Sequence, residues 1–266
     1  MFEHQGNAFD AAVAAGFALA VVEPSMSGIG GRLQALYHEA SGKIGGVDAS
    51  TQVPMNYKPR EEKYAYGYET IGIPGVVAGL LQLHEHHGSL PLQTVMAPAI
   101  RYAEEGFKIL PLEALRHQSA KAVFEQFEGT KTHFLNEDGQ AFQAGELVVQ
   151  KTLANTLKEI AAKGKAGFYE GEVAQKMVED IQANGGILTL EDLKNYKALH
   201  AEVLEGSFQG TDIYALNLPS YGAITIQILQ ILDQLPQPET EEAWAKQFDP
   251  ANASACAYGN KQDDRK

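Results

Sequence analysis

The chain has 266 residues, of which 44% are hydrophobic and 21% charged, so it is long enough to bury a core of ordinary size. Its 34 acidic residues outnumber the 21 lysines and arginines, which gives a formal net charge of -13 at pH 7 and argues against binding to nucleic acid or to anionic membranes. The single cysteine, Cys256, excludes an internal disulfide framework and a thiolate zinc cluster.

The chain begins with a pattern typical of a buried helix. Asn7 is a good N-cap residue, and Asp10 follows at a position where an acidic side chain favours a helix N-terminus. Residues 11–20 are apolar all round, which predicts a helix enclosed on every side, and the apolar run is too short to span a bilayer. Residues 1–5 lack a signal-peptide pattern, which favours the cytoplasm and leaves export open if the natural N-terminus lies elsewhere.

A glycine-rich turn and a β-hairpin are predicted next. Residues 28–31 precede a strand rather than a helix, so they do not form a phosphate loop, and Gly28, Gly30 and Gly31 indicate close approach of another part of the backbone. Apolar and polar residues partly alternate over residues 32–38, which predicts a strand. Residues 44–48 are predicted to return as the second strand of a hairpin.

From Gly72 the chain is predicted to be mainly helical. Helices are expected over residues 76–87, 94–105, 112–127, 151–163 and 171–183, with a polar loop over 128–145 and a short helix after a capping box at Thr189 and Asp192. A second hairpin over 201–216 turns at Gln209-Gly210, and an apolar helix covers 223–235. We interpret the chain as a single domain with four segments: 1–70 (helix and hairpin), 71–200 (helical), 201–235 (strand and helix) and 236–266 (a polar tail).

The residues predict no catalytic residue and no metal site in this chain. The run His84-Glu85-His86-His87 is not His-Glu-x-x-His and has no obvious third ligand, so we interpret it as an exposed helix end. Thr132 lies in a Thr-His-aromatic step, but the surrounding residues predict a loop. Cys256 has no designated histidine partner, and no serine lies in a Gly-x-Ser-x-Gly elbow.

Taken in order, several motifs resemble the large subunit of the γ-glutamyltransferases (γ-glutamyltranspeptidases, or glutathione hydrolases) and their acylase relatives. They cover residues 6–15, 22–24, 27–31, 72–79, 97–107, 167–171 and 185–193. The resemblance implies an α+β fold of the N-terminal-nucleophile hydrolase type, an αββα sandwich with two sheets between helix layers. This chain would supply only an incomplete, helix-rich large-subunit part of it.

The resemblance also implies a chemistry. Members of the family are made as one precursor that cleaves itself, and the new N-terminal threonine of the small subunit then attacks an amide with its own α-amine as base. The expected partners are therefore that small catalytic subunit and a small-molecule amide such as glutathione, with no cofactor. Alone, this chain is expected to be inactive. Two alternatives stay open, a cephalosporin- or glutaryl-acylase-like amidohydrolase and an inert fragment that only binds its small subunit.

The chain departs from the family pattern where the substrate carboxylate is expected to bind. The family motif Asp-Gly-Arg-Glu, whose arginine clamps the carboxylate, is replaced by Asp48-Ala49-Ser50-Thr51, and a serine offers no charged fork. Arg32 stands where the family has glycine and is expected opposite Ala49, within a residue or two. We predict that Arg32, Ser50 and Thr51 bind substrate; alternatively, Arg32 points to solvent or pairs with Asp48. Structural roles are expected for Asn7, Asp10, Gly28, Gly30, Gly31, Pro74 and Gly75.

Overall fold

The computed structural model describes residues 1–59, 65–236 and 239–263. They form two compact units, one containing residues 1–33 and 49–198 and the other containing residues 34–48 and those from 199 onward. The helices are α1 (Ala8–Val22), α2 (Val76–His87), α3 (Leu92–Glu105), α4 (Pro111–Phe124), α5 (Glu128–Phe134), α6 (Lys151–Lys163), α7 (Ala166–Tyr169), α8 (Gly171–Ala183), α9 (Leu190–Asn195), α10 (Gly222–Asp233) and α11 (Glu241–Asp263). The strands are β1 (Leu33–His38), β2 (Ile44–Ala49), β3 (Phe107–Lys108), β4 (Leu147–Val148), β5 (Leu199–His200), β6 (Val203–Phe208) and β7 (Thr211–Leu216).

The core of the first unit is made of helices. Helix α1 packs against α2 and α3, and α3 packs against α6. The side chains at these contacts are fully buried, among them Val13, Phe17, Val95, Met96, Leu157 and Ile160. The predicted bounds of α2, α6 and α8 are confirmed residue for residue, because Gly88, Gly164 and Asn184 end these helices. No helix among the described residues is both long enough and apolar enough to cross a bilayer.

The described residues do not enclose helix α1 on every side. The prediction of a fully enclosed helix is therefore wrong within the described part of the chain. Ala8, Ala12, Ala15 and Leu19 are exposed, and 42% of Leu19 is accessible. Their spacing places them on one face of the helix, while α2 and α3 cover the opposite side. The apolar sequence therefore correctly predicted a helix but overestimated how much of it these partners bury.

The N-terminus of α1 is tied to the connection between α2 and α3. Asn7 is the N-cap as predicted, and with Asp10 it forms a capping box, in which the Asp10 amide donates to Asn7 Oδ1 at 3.0 Å and the Asn7 amide donates to Asp10 Oδ2 at 2.8 Å. The Asp10 carboxylate is fully buried and also accepts bonds from the Ser89 hydroxyl at 2.6 Å and from the amides of Ser89 and Leu90. Burial alone would raise the pKa of Asp10, but these hydrogen bonds outweigh it and lower the pKa below its ordinary value.

We expect Asp10→Asn to lower the free energy of unfolding by about 3 kcal/mol at neutral pH, because an amide nitrogen would replace one acceptor oxygen among buried donors. Since the folded-state pKa is lowered, the contribution of Asp10 is fully present above the unfolded-state pKa of about 4 and is lost as the pH falls below it. Urea unfolding of both proteins from about pH 7 to pH 3 should therefore show the difference shrinking with acid. A constant difference would contradict this explanation.

One other prediction is wrong, and the tail, which was predicted only to be polar, contains a helix. Residues 128–145 are not all loop, because α5 forms over Glu128–Phe134, where the Thr130 hydroxyl donates to the carbonyls of Phe124 and Phe127 and Phe134 stacks on Phe124 at 5.2 Å. The polar tail contains a further helix, α11, which packs on α10 through Ala251 and Trp244. In both cases packing overrides a polar local sequence.

The second unit contains the strands of two small sheets. Strands β1, β2 and β5 form one sheet in that order, and β6 pairs with β7 in the other. The β6–β7 hairpin has the predicted turn, with Gln209 and Gly210 both at positive φ as a tight two-residue hairpin requires. Helix α10 packs against both strands of this hairpin.

Candidate functional site

The hairpin register places the two main candidate residues opposite each other. The Glu39 amide donates to the Lys43 carbonyl at 2.8 Å, and a side chain on Gly45 would collide with the ring of Tyr37, so Tyr37 lies opposite Gly45. The same antiparallel register, continued to the other end of the hairpin, places Arg32 opposite Ser50. The predicted partner, Ala49, is one residue away, within the uncertainty of the sequence analysis.

The candidate residues differ in exposure and in their contacts. Arg32 is exposed, and its guanidinium forms no ion pair with any residue in the described ranges, Asp48 included. Ser50 is half-buried. Thr51 is exposed, and its methyl group lies where a side chain on Gly72 would be, 2.4 Å from the ideal Cβ position. Arg32 is thus available to bind an anion by a charge-assisted, bidentate contact.

The turn before α2 holds the ends of both strands together. The amides of Gly75 and Val76 donate to the Gly31 carbonyl at 2.8 and 3.2 Å. A Cβ atom on residue 75 would lie 1.9 Å from the Ala49 carbonyl oxygen, so only glycine fits there. Gly31 and Ala49 directly precede the two candidate residues, and the turn therefore sets the position of Arg32 and Ser50.

The glycine-rich run before β1 was predicted to lie close to another part of the backbone, and the structure does not show such an approach at Gly28 or Gly30. A Cβ atom on Gly28 or Gly30 would meet no described atom within 4 Å, and one on Gly31 would make only an ordinary contact at 3.5 Å. Neither Gly28 nor Gly30 adopts a positive φ. The expectation of close backbone approach is therefore wrong at these two glycines within the residues that the structure describes.

Two buried tyrosines that the sequence analysis did not single out contact this site. The Tyr196 hydroxyl donates to the Ser50 carbonyl at 2.8 Å, and the Tyr169 hydroxyl donates to the Pro74 carbonyl at 2.8 Å. Their rings are stacked, 5.6 Å apart and within 4° of parallel, and each residue is 1% exposed. Burial raises the pKa of Tyr169. The hydrogen bond from the Ala78 amide lowers it by less than burial raises it, and the nearby Tyr196 raises it further, so the hydroxyl keeps its proton.

The hydroxyl groups of Ser25 and Thr132 do not form a nucleophile–base pair with the residues around them. The Ser25 hydroxyl donates to Glu113 at 2.5 Å, but this buried carboxylate also accepts from the Ser25 amide at 2.9 Å, lies 3.1 Å from His117 Nε2 and is 3.6 Å from Arg116. The Glu113 carboxylate is only 3% exposed and is engaged by all of these groups, so it is not open to a substrate.

His117 and Thr132 do not supply a base or a nucleophile either. Burial lowers the pKa of His117, although Glu113 opposes the shift, and its ring contacts the carboxylate rather than the serine. Thr132 is exposed in an open groove on α5 and forms no hydrogen bond to a base within the described ranges.

The described residues contain no group of three or more His, Cys, Asp and Glu side chains that could hold a metal ion. In the histidine run at the end of α2, the His84 ring contacts the Leu90 carbonyl at 2.8 Å and His87 stacks on Phe9 at 4.4 Å. These two rings are therefore part of the packing around α1 and α2.

Comparison with known proteins identifies the family. The model of the gamma-glutamyltranspeptidase family matches residues 1–263. A glutathione hydrolase proenzyme from Pseudomonas sp. (strain A14) is 36% identical over 245 residues, which are 88% of this chain and 43% of that protein. The chain therefore spans less than half the length of this relative.

Solved structures agree with the sequence comparison. The γ-glutamyltranspeptidase of Helicobacter pylori superposes with a TM-score of 0.92 and 33% identity, covering 96% of this chain and 77% of that one. The cephalosporin acylase of Bacillus halodurans gives a TM-score of 0.84 and 28% identity, covering 94% and 50%. The predicted α+β, N-terminal-nucleophile hydrolase fold is thus confirmed. The chain belongs to the gamma-glutamyltranspeptidase family.

Proposed function

We propose that this chain is the large-subunit portion of an amide-cleaving enzyme, and that the N-terminal threonine of a small subunit supplies the nucleophile. The relatives are named glutathione hydrolases and proenzymes, and this chain covers only 43% of one of them. The hydroxyl groups described above offer no competent nucleophile–base pair, which supports a nucleophile on another polypeptide. The acyl group would pass through an ester of that threonine to water or to an acceptor amine.

The observation that carries the proposal is the exposed Arg32 directly opposite Ser50. An arginine fork binds a carboxylate through two parallel hydrogen bonds, which a serine cannot do. Arg32 would restore, from the neighbouring strand, the charge that the family places at position 50. Ser50 and Thr51 would add neutral hydrogen bonds. The acyl donor is accordingly a small amide whose acyl part carries a carboxylate, such as the γ-glutamyl group of glutathione.

A glutaryl amide is the second candidate for the acyl donor. It also carries a carboxylate but lacks the α-amino group of a γ-glutamyl donor. The loss of the family arginine at position 50 and the likeness to a cephalosporin acylase favour it.

The test combines the purified chain with a small-subunit polypeptide from the same gene and assays γ-glutamyl and glutaryl anilides. We expect turnover from the pair and none from the chain alone. The variants Thr132→Val and Ser25→Ala should retain turnover in the pair. Turnover by the chain alone would place a nucleophile within it and contradict the proposal, while an inactive pair would favour the inert-fragment alternative.

A further inference from the structure

The Tyr196 hydroxyl contacts the chain at a point where the backbone ladder is interrupted. Strand β2 ends at Ala49, and the next backbone pairing is the isolated bridge between Gln52 and Ile73, with hydrogen bonds of 3.2 and 2.8 Å. Ser50 and Thr51 lie in the gap between these two pairings. The bond of 2.8 Å from the Tyr196 hydroxyl to the Ser50 carbonyl bridges this gap.

Tyr196 is itself held from three sides. Its ring is stacked on Tyr169, the Lys165 ammonium donates to its backbone carbonyl, and its own amide donates to the Leu193 carbonyl at 3.2 Å. Helix α9, which directly precedes it, is capped by Thr189 and Asp192. Its backbone and its ring are therefore both held, and the hydroxyl is positioned as a donor to Ser50.

A phenylalanine ring would fill the same volume, so packing alone does not require the hydroxyl. The hydroxyl is needed because the Ser50 carbonyl would otherwise lose this buried donor. Replacing Tyr196 with phenylalanine therefore removes the contact with Ser50 but keeps the packing of the ring in the core.

We propose that Tyr196 is a positioning residue for the substrate site, which fixes the segment Ser50–Thr51 opposite Arg32 so that the site can bind a carboxylate. The inference rests on the proposed function above and adds a residue that touches no substrate. Tyr169 provides the comparison, because it is an equally buried residue whose hydroxyl makes a bond of the same 2.8 Å length to Pro74 instead of Ser50, and it also accepts from the Ala78 amide at 3.2 Å.

The test compares Tyr196→Phe with Tyr169→Phe in the two-subunit enzyme. With a glutaryl anilide, Tyr196→Phe should raise KM about fivefold with little change in kcat, because it removes one neutral hydrogen bond from the positioning of the site. With a butyryl anilide, which has no free carboxylate, KM should not change. Tyr169→Phe should change KM for the two donors by the same factor while lowering thermal stability at least as much, because it also leaves the Ala78 amide without its acceptor.

Hydrogen exchange of the peptide spanning residues 49–53 gives a readout that needs no activity. We expect faster exchange in Tyr196→Phe than in the wild type or in Tyr169→Phe. Unchanged exchange, or equal KM effects on the two donors, would overturn the role of Tyr196. A wild-type enzyme that hydrolyses neither a γ-glutamyl nor a glutaryl anilide would overturn the proposed function instead, and the exchange measurement would still decide whether Tyr196 fixes this segment.

Discussion

Replacing Arg32 with alanine should raise KM for a carboxylate-bearing acyl donor by about 30-fold, because a charge-assisted hydrogen bond contributes about 2 kcal/mol. Arg32 has no ion-pair partner within the described ranges, so its removal leaves no unpaired charge behind and costs little stability. Steady-state kinetics of the proposed two-subunit enzyme with a glutaryl anilide would measure the effect. A butyryl anilide serves as the control, and its KM should hardly change.

The register of the hairpin makes a second, sharper version of this experiment possible. Because position 50 lies opposite position 32, the double variant Arg32→Ala/Ser50→Arg moves the charge across the strand pair to the place where the resemblance puts the family arginine. We expect the double variant to recover most of the lost affinity. Arg32→Lys should recover less, since an ammonium lacks the planar fork. An unchanged KM in Arg32→Ala would remove Arg32 from the site.

Gly75→Ala should destabilise the first unit by more than about 4 kcal/mol, or prevent it from folding. The added methyl group would lie 1.9 Å from the Ala49 carbonyl oxygen and 2.4 Å from the Tyr196 hydroxyl. A backbone atom cannot yield as a flexible side chain can, so the turn would have to move away from both strand ends. Urea unfolding followed by far-UV circular dichroism would measure the loss.

Gly30→Ala is the matched control for this prediction. It makes the same chemical change in the adjoining turn, where a Cβ atom meets nothing within 4 Å. We expect it to change the free energy of unfolding by less than about 1 kcal/mol. Equal losses in the two variants would show that close approach at Gly75 is not the cause.

Local signals were enough to predict most helices but not those that depend on packing. The bounds of α2 and α8 follow from an apolar pattern and a clear stop at Gly88 or Asn184. Helix α5 depends on the contacts of Thr130 and Phe134 with residues before it, and α11 depends on contacts of Trp244 and Ala251 with α10. No local pattern reports such contacts.

In the candidate site, too, local features could be predicted from the sequence, but contacts between distant residues could not. The substitutions at Arg32 and Ser50 are visible in the sequence, and their pairing could be predicted to within one residue from the length of the hairpin. Tyr196 could not be predicted, because the residue it contacts is 146 positions away in the chain.

The position of the single tryptophan gives the molecule a built-in optical reporter. Trp244 lies on α11 against the cluster of Ile228, Leu232 and Ala251, whereas the stacked tyrosines belong to the other unit. Light absorbed only by indole therefore reports on the α10–α11 pair. Fluorescence excited at such a wavelength can thus follow the melting of this part of the molecule without an attached dye.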